Sequence, residues 1–509
     1  MKTLKNTNKP MATHQSSCVL LLVAALFFSC SAAQLGDNLD GIPEVYRQDS
    51  DGPSGDVEPP HTVRAQASKT GSWGEYKAYT IDRIPGGFSI SDEPELDEYG
   101  GWKVAELEAT GFFRVQQYAG RWWMVTPSGH LYISKGVAVF SQGGSDRQAA
   151  ALAEKFGTVN EWARQESGRL KEAGFNSLGA WSNTGVIRGL SAKTPYTIIV
   201  SPMGSYNGEI KGDYPSPPYS YGWEGYPEDF AFVFDARFDE VVESQVSKVA
   251  TYASDPWCIG YFIDNEIPWK QYALDRCLTK FPAGHINRTK AQEWLDERKG
   301  KTGAALSEAT QEDRRLFIAY CFETYMKKVT TALRKYDPNH LFLGCRFNQW
   351  NYELINDELF KVAGQYMDVI SVNHYQKWEP DPEAMANWYR WSGKPFLVTE
   401  FYTKGNDSGM GNTTGAGWVV RTQEERGLFY ENFVYGLLKS KTCVGWHWFT
   451  YMDNDPENPY ADESNKDSNK GIVSWNFTTY MPLLIRMDEM NHQVYQLARF
   501  LDTHINQTE

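Results

Sequence analysis

The chain has 509 residues, of which 41% are hydrophobic and 14% aromatic, and its formal net charge is −14 at pH 7. This length is sufficient for one large catalytic domain, since a single α/β barrel needs ~250 residues or more. The negative charge makes nucleic acids and anionic membrane surfaces poor partners. The many aromatic side chains favour a protein that binds carbohydrate, because aromatic rings stack on the apolar faces of sugars.

Residues 1–30 have the pattern of an export signal. A basic start that includes Lys2 is followed by an apolar run over 18–28, which is too short for a membrane span of ~20 residues. The sequence Leu-Phe-Phe-Ser ahead of Cys30 resembles a bacterial lipobox, whereas the small residues at 31–33 would suit ordinary cleavage. We therefore expect an exported protein, either secreted or anchored to the outer membrane or cell surface as a lipoprotein through Cys30.

The next segments predict a tether and a small extension. Residues 31–66 are rich in Asp, Glu, Pro and Gly, a composition that buries little apolar surface and predicts a flexible acidic tether. Residues 67–130 predict a short β-containing extension that packs on the main domain. A hairpin is predicted over 121–133, where two β-rich runs flank a Pro-Ser-Gly turn. The catalytic domain is predicted over 131–505.

Within 131–505, short apolar runs alternate with longer helical patterns. The predicted strands are 131–139, 175–180, 196–201, 258–264, 341–346, 367–373, 395–400 and 443–449. The predicted helices include 149–173, 235–253, 311–335 and 422–439. This repeated alternation predicts an α/β fold, a (β/α)8 TIM barrel with a short N-terminal β-containing extension. A doubly wound open sheet is the main alternative, but no glycine-rich nucleotide motif follows the first strands.

Two of the predicted strands end in a glutamate. The strand over 258–264 leads into Asn265 and Glu266, and the strand over 395–400 ends at Glu400. By count these are strands four and seven, whose C-terminal ends face each other across a barrel at its active-site face. Two carboxylates about 5–5.5 Å apart are the catalytic pair of a retaining glycosidase, in which the charge of one keeps the other protonated. A helix cap or an exposed acid is the structural alternative for either residue alone.

Other strand ends carry polar and aromatic side chains. Tyr375 is a candidate to orient Glu400, and a tryptophan of the last strand is a candidate floor for the sugar site, depending on strand register. The remaining candidates would bind sugar hydroxyls or serve only structural roles. The full set of candidate substrate contacts is Asn265, His374, Tyr375, Trp181, Asn183, Arg346, Trp446 and Trp448.

No metal or other cofactor is expected. The acidic stretch 453–457 lacks the glycine of a calcium loop, and the histidines are scattered without an H-E-x-x-H motif. Cys258, Cys345 and Cys443 sit in or beside apolar runs and are interpreted as buried free thiols.

Several segments, in the same order, resemble clan A glycoside hydrolases and, within them, the β-agarases of glycoside hydrolase family 50. They include DPWCIGYFIDNE (255–266), HLFLGCRF (340–347), ISVNHY (370–375), PFLVTEF (395–401) and VGWHWFTYMDNDP (444–456). The resemblance implies Glu266 as acid/base, Glu400 as nucleophile and Asn265 as a ligand of the sugar 2-hydroxyl. It further implies hydrolysis of the β-1,4 bond between D-galactose and 3,6-anhydro-L-galactose in agarose. Two alternatives stay open: the same chemistry on another polysaccharide such as porphyran, and a non-catalytic glycan-binding lipoprotein of the cell surface.

Overall fold

The structure, a computed structural model, describes residues 58–348 and 356–504. The predicted export signal, the lipidation site at Cys30 and most of the predicted tether lie outside the described residues. Among those that are described, no helix combines the length and the apolar character needed to cross a membrane. All of them belong to one compact unit, residues 43–509, so the predicted boundary at residue 131 stays a prediction.

Strands and helices alternate along most of the chain. The strands are β1 (His61–Gln66), β2 (Gly74–Ala78), β3 (Arg114–Tyr118), β4 (Arg121–Val125), β5 (Leu131–Tyr132), β6 (Ser134–Val137), β7 (Ser177–Leu178), β8 (Tyr196–Val200), β9 (Cys258–Ile263), β10 (Leu341–Phe342), β11 (Phe347–Asn348), β12 (Ile370–Asn373), β13 (Phe396–Glu400), β14 (Thr403–Gly405), β15 (Trp418–Val420) and β16 (Cys443–Trp448). The helices are α1 (Asp146–Phe156), α2 (Val159–Glu172), α3 (Thr184–Ile187), α4 (Pro202–Ile210), α5 (Ala236–Val246), α6 (Ala273–Lys280), α7 (Ile286–Lys299), α8 (Gln311–Tyr336), α9 (Asp357–Tyr366), α10 (Pro382–Ser392), α11 (Gln423–Lys439) and α12 (Met481–His504).

The core of the molecule is a large parallel sheet. Its nine described strands run in the order β10-β9-β8-β7-β6-β16-β13-β12-β11, and every neighbouring pair is parallel. The sheet is curled, because β10 and β11 at its two ends are joined by residues 343–346 alone. At this junction the N–H of Leu343 donates to the carbonyl of Tyr261 in β9. The N–H of Asp368, just before β12, donates to the carbonyl of Phe342. The predicted mixed α/β class is confirmed as far as this curled parallel sheet.

Each predicted strand contains an observed strand, and three of the four named helices correspond to α5, α8 and α11. The fourth prediction, a single helix over 149–173, is wrong because the segment forms α1 and α2. Gly157 ends α1 with a φ of 77°, a backbone conformation that favours glycine, and the Thr158 hydroxyl then accepts the N–H of Glu161 to cap α2.

Two smaller sheets involve the N-terminal extension. The predicted hairpin is confirmed, since β4 pairs with β5 antiparallel. The tether prediction is wrong for residues 61–66, which form β1: Val63 and Ala65 alternate into the core, and β1 pairs with β2 and β15. The alternation of buried and exposed side chains in residues 61–66 favours a strand there, despite the acidic composition of the preceding residues. Because β15 pairs with both β1 and β14, β1 is joined through β15 to the segment that follows Glu400.

Candidate active site

A cleft of about 1060 Å³ opens where the parallel strands end. Glu266, which follows β9, and Glu400, the last residue of β13, both line it. The C-terminal ends of parallel strands meet at one edge of a sheet, so side chains far apart in sequence converge there. The central prediction, that these two acids share one cleft, is confirmed.

The turn after β9 presents Glu266 to the cleft. Asp264 and Glu266 both have left-handed backbones, with φ of 60° and 52°. The buried Asp264 carboxylate accepts the N–H groups of Met203 (3.0 Å) and Gly204 (2.9 Å) at the start of α4, and the Tyr325 hydroxyl donates to it from α8 (2.9 Å). These three bonds hold a strained turn in place, a feature that is common at functional sites.

Glu400 is held at both carboxylate oxygens. Arg346 Nη2 donates to Oε1 at 2.6 Å, and the Tyr375 hydroxyl donates to Oε2 at 2.5 Å. The Arg346 side chain is fully buried, so the ion pair lies in a region of low dielectric and fixes the carboxylate in one orientation.

The two acids are linked by a continuous chain of hydrogen bonds. Asn373 Nδ2 donates to Glu266 Oε1 (2.7 Å) and to Asn265 Oδ1 (3.3 Å). Arg346 Nη1 donates to the same Asn265 oxygen (2.8 Å) while its Nη2 binds Glu400. The oxygen of Asn265 is therefore occupied by protein donors, and its amide nitrogen is the group left to bind a ligand.

The electrostatic settings of the two acids differ. Burial, together with the negative charge of Glu400, raises the pKa of Glu266 to about 7. Hydrogen bonds from Asn373 and Asn348 and the charge of Arg346 oppose this shift without cancelling it. Glu400 instead forms the ion pair with Arg346. Glu266 therefore keeps a proton near neutral pH, while Glu400 is paired as a carboxylate. Acid-assisted displacement requires one proton donor and one nucleophile of this kind.

Three further predicted site residues lie in this cleft, and one lies behind it. Asn265, Tyr375 and Trp181 line the cleft. Arg346 does not, so its prediction as a sugar contact is wrong: its guanidinium lies under the Trp181 ring, 4.2 Å from the centroid, and binds Glu400. It supports three lining residues from below: Trp181, Glu400 and Asn265.

The remaining four predicted substrate contacts, Trp446, Trp448, His374 and Asn183, are wrong for reasons of strand register and helix capping. Side chains alternate across a strand. On β16 the fully buried Trp446 and Trp448 point away from the cleft, donating to the Tyr430 hydroxyl and to the Lys470 carbonyl. The His374 ring is buried between Trp388 and Phe433. Asn183 caps α3 by accepting the N–H of Val186.

Sequence reasoning missed several residues of the site, most of which line the cleft. Phe449, directly after β16, lines the cleft, whereas the sequence pattern predicts a tryptophan of this strand there. Asn373 and Asn348 bond Glu266, and their places at strand ends were a usable signal. Most of the others lie on loops with no periodic pattern, and these include Trp223, Glu224, Tyr226, Lys270, Tyr402 and the segment 462–465.

Paired carboxylates at the C-terminal edge of a parallel sheet are the arrangement that glycoside hydrolases use. No family model matches the chain. It is 25% identical to Beta-agarase B of Vibrio sp. (strain JT0107), over 80% of this chain and 51% of that protein, so it spans about half the length of this relative.

The comparison with solved structures agrees with the comparison of sequences. The chain is similar to BpGH50, with a TM-score of 0.76 and 28% identity over 89% of this chain and 99% of that one. It is also similar to the agarase AgWH50C, with a TM-score of 0.65 and 25% identity over 80% of this chain and 67% of that one. The resemblance to the β-agarases of glycoside hydrolase family 50 is confirmed.

Proposed function

We propose that this protein is a retaining glycoside hydrolase that cleaves β-galactosidic bonds in an algal galactan, with agarose as the preferred substrate. The proposal rests on the pair Glu266 and Glu400, which line one cleft. The pKa of Glu266 is raised, whereas Glu400 forms an ion pair with Arg346. The similarity to β-agarases supports the choice of substrate.

The proposed reaction has two steps. In the first, the Glu400 carboxylate attacks the anomeric carbon while the Glu266 carboxyl gives its proton to the glycosidic oxygen, and the leaving sugar departs. In the second, Glu266, now ionised, takes a proton from a water molecule, which attacks the same carbon and frees Glu400. The Asn265 amide nitrogen binds the sugar 2-hydroxyl, and Tyr375 keeps Glu400 aimed at the anomeric carbon.

The charge of the cleft favours a neutral galactan over a sulfated one. Five carboxyl groups line it among the described residues: Glu224, Glu266, Glu400, Asp462 and Glu463. The cation that faces them is Lys270, whose ammonium lies 3.3 Å from Glu224. A sulfate ester entering this cleft meets like charges, which oppose binding.

Agarose is therefore expected to be hydrolysed at least about ten-fold faster than porphyran, whose sulfated units carry a negative charge. New reducing ends and the masses of the products measure this on a panel of polysaccharides. Alkali treatment converts the sulfated units of porphyran into anhydro sugars and serves as the matched control, because it should restore cleavage. Equal rates on untreated porphyran would contradict the preference. Binding of the whole panel with no new reducing ends would favour the non-catalytic glycan-binding alternative.

The pKa of Glu266 predicts the basic limb of the pH profile. Glu266 must be protonated in the first step, so kcat/KM on agarose oligosaccharides is expected to fall about ten-fold per pH unit above a pKa of about 7. An aryl galactoside with a good leaving group needs little acid assistance, so its basic limb should be weak. A basic limb that persists in Glu266→Gln on the aryl substrate would assign this titration to another group.

We further propose that the curled sheet closes into the eight-stranded barrel. The backbone hydrogen bonds of Phe342 and Leu343 to the two neighbouring strands support this, since β10 and β11 then form one strand that is interrupted at residues 343–346. A crystal structure in which residues 341–348 pair with only one neighbouring strand would contradict closure.

A further inference from the structure

A second cavity of about 210 Å³ lies beside the main cleft. It is bordered by the chain after β6, including Ser141, and by the segment from Met452 to Asp462. Asp462 lines both cavities, and the chain continues from it along the rim of the main cleft to Asn465. The two depressions are therefore neighbours along one continuous rim.

An aromatic ring stands exposed at this cavity. Tyr460 is 93% exposed, although its backbone N–H donates to Asn458 Oδ1 (3.0 Å) and so fixes the turn. Among the described residues, the other strongly exposed aromatic side chains are Trp223 (71%) and Trp181 (42%), and both line the main cleft. An exposed ring on a fixed turn, beside a cleft that carries two others, adds a further flat surface on which a sugar chain can stack.

The acidic groups of the cavity are already bound within the protein. Asp455 accepts from the Ser145 hydroxyl (2.8 Å) and from Arg147 (2.9 Å). Asp453 accepts the N–H groups of Lys470 and Gly471, each at 2.7 Å. Asp462 accepts hydrogen bonds from the N–H of Ser464 (2.9 Å) and from Nδ2 of Asn465 (2.7 Å). Because these carboxylates have partners, the polar groups left to bind a ligand are chiefly uncharged, which together with the aromatic ring suits a neutral sugar better than a cation.

We propose that this cavity is a distal subsite for the same polysaccharide, with Tyr460 stacking on a sugar unit remote from the bond that is cleaved. The inference rests on the proposed function and extends it, since it assigns a binding role to residues outside the catalytic cleft. Short oligosaccharides that fill only the main cleft do not reach the ring, whereas longer ones do.

The test compares wild type with Tyr460→Ala and with the matched control Tyr460→Phe, which keeps the ring. On agarose oligosaccharides of increasing length, Tyr460→Ala is expected to raise KM about five-fold for the longest substrates only. Its kcat and its kinetics on the shortest cleaved substrate should be unchanged, and Tyr460→Phe should behave like wild type. Identical kinetics of all three proteins at every length, or equal losses at short and long lengths, would overturn the subsite.

Binding separates this inference from the proposed function. In a Glu400→Gln background, calorimetry with the same oligosaccharides measures affinity without hydrolysis. A length-dependent loss of about five-fold on adding Tyr460→Ala supports the subsite even if wild type cleaves nothing, in which case only the proposed function fails. Absence of binding at every length, or a loss that does not depend on length, overturns the subsite.

Discussion

Glu400→Ala is expected to lose about 10⁴-fold or more of kcat/KM on an aryl β-galactoside, and sodium azide should restore turnover with an α-galactosyl azide as product. Glu400 is the group proposed to attack the anomeric carbon, so its removal leaves a space for a small anion on the same face. Azide that attacks there from the face opposite the leaving group inverts the β substrate. Proton NMR of the azide product reads the stereochemistry directly.

Glu266→Ala is the matched control for this experiment. Here Glu400 still forms the covalent intermediate with an activated substrate, and azide replaces water in the second step. The product is then a β-galactosyl azide, because two inversions restore the configuration. Identical azide anomers from the two variants, or an α-anomer released first by wild type, would remove Glu400 from the nucleophile role.

Arg346→Met is expected to lower kcat/KM on agarose oligosaccharides about 100-fold, mainly through kcat. Arg346 is a positioning residue: it is fully buried, donates to Glu400 at 2.6 Å, and holds Asn265 at 2.8 Å. Without the guanidinium, Glu400 loses the donor that fixes its Oε1 and Asn265 loses a donor to its amide oxygen, so the nucleophile is no longer held in one orientation.

Arg346→Lys separates charge from geometry. A lysine supplies the cation but cannot bind Glu400 and Asn265 at the same time through a planar fork, so kcat/KM should stay low although the charge is restored. A folded Arg346→Met protein, verified by circular dichroism, with wild-type kcat/KM would show that the ion pair has no role in positioning Glu400.

The strand ends explain how much of the site was predictable. Glu266 and Glu400 each follow an apolar run, and buried strands of a parallel sheet read as such runs, so both acids were found from local pattern alone. The same logic placed Asn265, Tyr375 and Trp181 in the cleft. It failed for Trp446 and Trp448, because a shift of one residue in register moves a side chain to the other face of the sheet, and sequence does not fix that register.

Composition and hydrophobic pattern by themselves determined the α/β class, the strand positions and the two catalytic candidates, because these depend on residues close together in the chain. Only the tertiary structure decided that Arg346 supports Glu400 from beneath instead of touching a sugar, and that β1 joins the sheet beside Glu400. It also brought the loops with Trp223, Lys270 and Tyr460 to the cleft and its rim. Loop side chains follow no period, and their positions depend on contacts with distant segments, which no local pattern contains.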